Sequence, residues 1–199
     1  MVTLLYQGHG SLRFVTSEGQ VIYVDPCVGE GYELPADLIL VTHQHDDHNQ
    51  LSLITHRNPD CQIITEKEAL RDGVHQIFDL GYVTVEAVEA GNQNHDPKQC
   101  VGYILTFRGG IQVYISGDTS QTAQMKTFAG RNLRYALLCC DGVYNMDIPE
   151  ASACATLIGA RHSIPYHMGP RKRFSRERAE KFETTGRIIL APGEEITLE

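Results

Sequence analysis

The sequence predicts one continuous α/β domain over residues 1–199, and three features lead to that reading. β-rich runs separated by glycines fill the first third, helices alternate with strands after residue 119, and several strands end on a histidine or an aspartate. There is no internal repeat, low-complexity tract or linker-like shift in composition. A chain of 199 residues, 42% apolar and 21% charged, can enclose a substantial core.

The strands expected first are Thr3 to Tyr6, Ser11 to Val15 and Gln20 to Val24, divided by Gly8, Gly10 and Gly19. Leu38 to Val41 is the next strand, and Glu66 to Arg71 reads as a short helix. Tyr82 to Val88 alternates as a strand. Val101 to Phe107 and Ile111 to Ile115 flank Arg108-Gly109-Gly110, a hairpin turn. Beyond these come a helix over Gln121 to Ala129, a strand over Tyr135 to Cys140, a helix over Pro149 to Gly159 and a strand over Ser163 to Pro165. A helix from Ser175 to Thr184, with Ser175 as its N-cap, precedes a final strand at Ile188 to Leu190.

The most informative segment is Thr42-His43-Gln44-His45-Asp46-Asp47-His48-Asn49-Gln50, which follows the apolar run Leu38 to Val41 directly. A short buried strand releasing imidazoles and carboxylates at its carboxyl end is a way to build a metal site, and such ligands suit zinc, iron, nickel or manganese. A histidine-rich loop can also be a merely solvated turn. Asp25 ends a strand in Tyr23-Val24-Asp25-Pro26, where a carboxylate can fix a ligating histidine by accepting its second N–H, or can simply serve turn chemistry. His95 lies in a polar loop, Asp118 follows a strand and Gly117, and His167 follows Ser163 to Tyr166. Strands ending this way place their polar residues on one edge of a sheet sandwich.

These motifs resemble the metallo-β-lactamase superfamily, and the likeness covers nearly the whole chain. Within it the sequence is similar to a compact branch that includes ascorbate-6-phosphate lactonase-like proteins. The cues are Gly8 to Ser11, Val24-Asp25-Pro26, the His43 to His48 motif, His95 with Val101 to Tyr103, Ser116 to Thr119, Gly142 to Met146 and Ile164 to His167. The resemblance implies a four-layered αββα sandwich with two divalent metal ions at one edge, zinc foremost, with manganese or iron as alternatives. It implies that His43, His45 and His95 hold one ion, that Asp47, His48 and His167 hold the other, and that Asp118 bridges them. The chain departs from the family pattern around His95, where Ala90-Gly91-Asn92 replaces a more aromatic approach.

Two cations ~3.5–4 Å apart share a water, lower its pKa and polarise the attacked oxygen. The expected function is therefore a metal-dependent hydrolase whose metal-bridging hydroxide cleaves a small ester, lactone or phosphate-bearing metabolite. Asp47 would orient that hydroxide as well as ligate. His9, outside the ligand set, would contact substrate or leaving group, or else pack as a turn residue. There is no Gly-x-Ser-x-Gly elbow to supply a serine nucleophile. The alternatives are phosphodiesterase action on cyclic nucleotides or RNA ends, and a metal-binding sensor protein without turnover.

The net charge of −8 opposes nucleic-acid and anionic-membrane partners, which leaves a small molecule as the expected substrate. Arg171 to Arg178 carries five cations in eight residues, either as a solvated basic turn or as the contact for an anionic substrate group. The chain contains no apolar stretch of the roughly 20 residues needed to span a bilayer, and no secretion signal is read at its start. A cytoplasmic location is expected, with most of the six cysteines acting as small buried hydrophobes and Cys27 the strongest candidate for a thiolate ligand. Oligomeric state is open.

Overall fold

The computed structural model describes residues 1–169 and 174–199. Five strands open the chain: β1 (Val2–Gly8), β2 (Ser11–Thr16), β3 (Val21–Val24), β4 (Ala36–Leu40) and β5 (Arg57–Ile64). Helix α1 (Glu66–Ala69) leads into a small ribbon of β6 (Leu70–Arg71) and β7 (Val74–His75). Next come β8 (Ile77–Asp79), β9 (Val83–Glu89), β10 (Val101–Phe107), β11 (Gln112–Ile115) and β12 (Tyr135–Cys139). Helix α2 (Ile148–Ile158) is followed by β13 (His162–Tyr166), helix α3 (Arg176–Glu180) and β14 (Glu195–Leu198).

The strands form two six-stranded sheets, ordered β14-β1-β2-β3-β4-β5 and β13-β12-β11-β10-β9-β8. Apolar side chains of both, among them Leu4, Phe14, Leu38, Val85, Tyr103 and Leu137, join in one buried cluster, so the sheets pack face to face. Helix α2 covers β12 of the second sheet, beside a 3₁₀ run at Gln124–Gly130. The outer face of the first sheet, with Tyr23, Ile39 and Val41, is sealed by Tyr32 and Ile54 from loops. The αββα order is present, with the helical covering concentrated on the second sheet.

Within the sheets β3 and β4 run parallel, as do β11, β12 and β13. Parallel neighbours deliver their carboxyl ends to the same edge, and this brings together Asp25, the His43 motif, Asp118 and His167. The two sheets are also stitched there. Val101 N donates to Thr42 O at 3.0 Å, and the Tyr103 hydroxyl donates to Val41 O at 2.9 Å.

Several expected elements are corrected. The helix expected over Gln121 to Ala129 is the 3₁₀ run, and the one expected over Ser175 to Thr184 stops at Glu180, although Ser175 caps it. The helix expected over Glu66 to Arg71 ends at Ala69. Ile188 to Leu190 forms no ladder; Arg187 makes an isolated bridge to Ser163, and the chain closes instead with β14 paired to β1. Strands β5 and β8 were not anticipated. Among the described residues no helix is long and apolar enough to cross a membrane.

Candidate metal centre

Four imidazoles of the centre have a polar group against the ring nitrogen that faces away from it, hydrogen-bonded for His43, His48 and His95 and in ion-pair range for His167. The buried Asp25 carboxylate accepts from Thr42 N at 2.7 Å, from Thr42 Oγ1 at 2.7 Å and from His48 Nδ1 at 2.9 Å. With the Thr42 hydrogen given to Asp25, His43 Nδ1, 3.0 Å away, donates to Thr42 Oγ1. That fixes the tautomer and leaves a lone pair on Nε2. His95 lies with Nδ1 3.2 Å from Asn92 Oδ1, and His167 with Nδ1 3.4 Å from Asp141 Oδ2. In each case Nε2 faces the same interior point.

Asp118 occupies that point. Its Oδ2 lies 3.3 Å from His95 Nε2, and its Oδ1 lies 3.2 Å from His167 Nε2 and 3.5 Å from His48 Nε2. Gly117 makes the approach: it adopts φ +61°, and a Cβ there would meet Val101 O at 2.8 Å. His43, His45 and His95 offer ligand atoms within 4.8 Å of one another; so do His43, His48 and Asp118, and so do His9, Asp47, His48 and His167. The structure therefore brings together His43, His45, Asp47, His48, His95, Asp118 and His167, with His9 beside them.

His9 is buried, its ring centroid 3.8 Å from that of His167 and its Nε2 donating to Asp47 Oδ2 at 3.1 Å. His9, Asp25 and His167 all adopt positive φ of 45–50°, backbone strain of the kind that persists where packing enforces a functional geometry. The His167 amide donates to His9 O at 3.1 Å, which locks the two loops together.

Electrostatics match a set of metal donors. Burial lowers the pKa of His43 to about 2 and also lowers those of His9 and His95, so these rings are neutral at neutral pH. Burial opposes the charged form of His48, yet the Asp118 and Asp25 carboxylates outweigh it and hold its pKa up at about 9. His167 is raised in the same sense, against burial, by Asp118 and Asp141. Burial also works against ionised Asp118, but the surrounding imidazoles of His167, His48 and His43 keep it well below the usual carboxylate range. His9 does the same for Asp47 through its hydrogen bond. His43 Nε2 and Asp118 Oδ1 are buried without a hydrogen-bond partner. A cation is the partner that such neutral imidazole and carboxylate donors suit, so the residues fit a divalent metal.

Two residues of the centre were not identified in the sequence. Asn92 accepts from the His95 amide at 3.1 Å as well as meeting its ring, so Ala90-Gly91-Asn92 is the device that seats His95. Asp141 lies two residues beyond β12, where the strand-end pattern that marked Asp25 and Asp118 would also have found it. Of the basic segment, residues 171–173 lie outside the described residues. Arg178 Nη2 donates to the carbonyls of Cys140 and Asp141 at 3.0 and 2.9 Å, a structural role rather than an anion contact. No cysteine joins the three ligand groups among the described residues.

The comparisons with known proteins agree with this architecture. A family model described as a beta-lactamase superfamily domain matches residues 3–167. A UPF0173 metal-dependent hydrolase of Nitratidesulfovibrio vulgaris is 27% identical, with 98% of this chain and 95% of the relative covered. Among solved structures, a protein of Parabacteroides distasonis described as a metal-dependent hydrolase has a TM-score of 0.78 at 27% identity, covering 94% of this chain and 92% of that one. Igni18, a metallo hydrolase of Ignicoccus hospitalis, has the same fold, with a TM-score of 0.81 at 24% identity over 100% of this chain and 98% of that one. The chain belongs to the beta-lactamase superfamily. Within it, the chain falls among the metal-dependent hydrolases of the metallo-β-lactamase fold.

Proposed function

We propose that this protein hydrolyses a small ester, lactone or phosphate-bearing metabolite with the help of two divalent ions, zinc foremost. His43, His45 and His95 would hold one ion; Asp47, His48 and His167 would hold the other; Asp118 would serve both. The observation that supports this reading is the placement of Asp118. One carboxylate turns an oxygen to His95 and the other oxygen to His48 and His167, and that second oxygen is buried without a hydrogen-bond partner. A single structural ion closes its shell with four ligands and has no use for so large a donor set.

When bound, the ions supply a nucleophile at neutral pH and Lewis acidity at the attacked oxygen. The residues of the chain do the rest. Asp47, ionised and half-exposed at the cavity wall, orients the attacking water by accepting its hydrogen, and His9 Nε2 fixes the carboxylate for that task. Asp25, Asn92 and Asp141 hold imidazoles in register, which limits reorganisation during the reaction. Cavities of about 420 Å³ beside Asp47, Asp118 and His167 and about 830 Å³ beside His43, His45 and His95 open on the centre and are of the size that takes a small substrate.

Asp118→Asn tests the reading. It is expected to abolish hydrolysis across a panel of lactones, phosphodiesters and thioesters, and to reduce bound zinc, measured by mass spectrometry, from two equivalents per chain. An Asp118→Asn protein with full activity and full metal content would overturn it.

A further inference from the structure

In Gly142-Val143-Tyr144-Asn145-Met146 the Asn145 side chain serves the metal centre, donating to Asp141 Oδ2 at 2.7 Å and accepting from Asn92 Nδ2 at 3.1 Å, but Val143 and Tyr144 have no task there. Both are large, apolar and exposed, Val143 at 60% and Tyr144 at 53%. Isolated exposure of this kind is ordinary on a loose loop, but this loop is not loose. Asp141 Oδ1 accepts from Val143 N and Tyr144 N, each at 2.7 Å, and from Asn145 N at 3.3 Å. Tyr144 O accepts from Asn92 Nδ2 at 3.0 Å and from Asn94 Nδ2 at 2.9 Å. Both backbone groups of Tyr144 are thus tied.

The residues that tie Tyr144 are also the ones that seat the ligand histidines. Asp141 lies against His167, and Asn92 holds His95. Tyr144 lines the same cavity as His45, Asp47, His95, Asp118 and His167. In that wall of imidazoles and carboxylates, Tyr144 contributes the only aryl side chain that is not a candidate metal donor. Its hydroxyl meets no hydrogen-bond partner among the described residues. An exposed ring on a backbone tied at both ends, at the wall of the cavity that holds the donors, is a packing face for a ligand.

We infer that Tyr144, with Val143 beside it, is a specificity-determining residue: its ring packs against an apolar, preferably planar, group on the substrate next to the bond cleaved. The inference rests on the hydrolase reading above and narrows it. It favours an ester, lactone or amide-like substrate with an aryl or acyl portion over a purely polar phosphorylated one. Arg178, engaged with carbonyls, does not supply a competing anion site.

The test uses zinc-loaded protein and two simple metal-directed probes, acetohydroxamate and benzohydroxamate, with affinities read by calorimetry and zinc content read in parallel. The aryl probe should bind about tenfold more tightly than the methyl one, the gain expected from seating one ring on another. Tyr144→Ala should erase that difference with zinc content unchanged, and Tyr144→Phe should keep it, because the ring and not the hydroxyl makes the contact. Equal binding of the two probes, loss of either probe's binding on a zinc-loaded protein, or an aryl preference that survives in Tyr144→Ala would overturn the inference and leave the hydrolase reading standing. A protein that takes up no zinc would overturn both.

Discussion

Asp25→Asn separates the charge of a buried carboxylate from its shape, and the structure sets the size of the effect. The backbone tolerates the change, because Asp25 sits at φ 45°, a region asparagine enters as readily as aspartate. The hydrogen bonds do not. Three donors converge on the two carboxylate oxygens, and the asparagine amide keeps only one oxygen. The cheapest arrangement leaves that oxygen on Thr42 Oγ1 and His48 Nδ1 and turns the new NH₂ toward Thr42 N. One buried charge-assisted bond is lost, costing about 1.5–3 kcal/mol. For a domain of this size that corresponds to roughly 3–12 °C in melting temperature. His48 also exchanges a carboxylate for a neutral acceptor, and weakened support of this kind lowers metal affinity by about 10–100-fold. Thermal unfolding by circular dichroism in EDTA reads the first effect, and zinc titration against a chromogenic chelator reads the second. An Asp25→Asn protein with the parent melting temperature and the parent zinc affinity would refute the argument that Asp25 orders the His43 motif from below.

Three other outcomes follow from particular contacts. The folded-state pKa of His48, about 9, lies above the ordinary histidine value of about 6.5, so in the metal-free protein its contribution to stability is complete below about pH 6.5 and fades as pH rises through about 9. Zinc seated on His48 as proposed would displace that proton; calorimetry in buffers of different ionisation enthalpy at pH 7.5, roughly a unit and a half below that pKa, should show proton release that disappears above pH 9. Gly91→Ala puts a Cβ 2.7 Å from His95 O at φ +129°, and should cost about 2 kcal/mol or more and weaken zinc binding; an unchanged melting temperature would mean that the His95 loop is free to move. Burial pushes the thiols of Cys100, Cys140 and Cys154 up to about 12 and Cys139 well above its ordinary value. Cys27 and Cys61 are the two part-exposed thiols, so iodoacetamide at pH 8 should label the folded chain at these alone, Cys61 slowly because burial raises its pKa too; rapid modification of the other four by mass spectrometry would mean the sandwich is open.

The parts of the fold legible in the sequence were those under the strongest physical constraint. β3, β4, β10, β11 and β12 are buried almost throughout, so their apolar runs announce them. β5 is an edge strand whose first four residues, Arg57-Asn58-Pro59-Asp60, are exposed; with one face in water and a proline inside, it carries no apolar period to detect. β14 is short and pairs only with β1, while the more apolar Ile188 to Leu190 forms no ladder and only the preceding Arg187 bridges to Ser163. The centre divides likewise. His43, His45, Asp47 and His48 stand in one short segment, whereas Asn92 and Asp141 act through side-chain contacts that only the fold creates.

The centre also depends on the closure of the sandwich itself. Asp25 and the His43 motif follow strands of the first sheet; Asp118 and His167 follow strands of the second, and His95 lies between two of its members. No single sheet holds a complete set of donors. Docking the sheets therefore brings His48 and His43 against Asp118, and the repulsion among so many buried polar groups is borne by the apolar contacts between the sheets. An ion seated across this junction binds the closed form and not the open one, so its binding free energy adds to docking, by about 2.7 kcal/mol at a hundredfold excess over Kd. Strain at His9, Asp25 and His167, and the desolvation of His43, are then two sides of one arrangement. The sandwich holds its donors in a geometry that a metal relieves, which is why the strain at these three residues and the desolvated His43 stand along one edge.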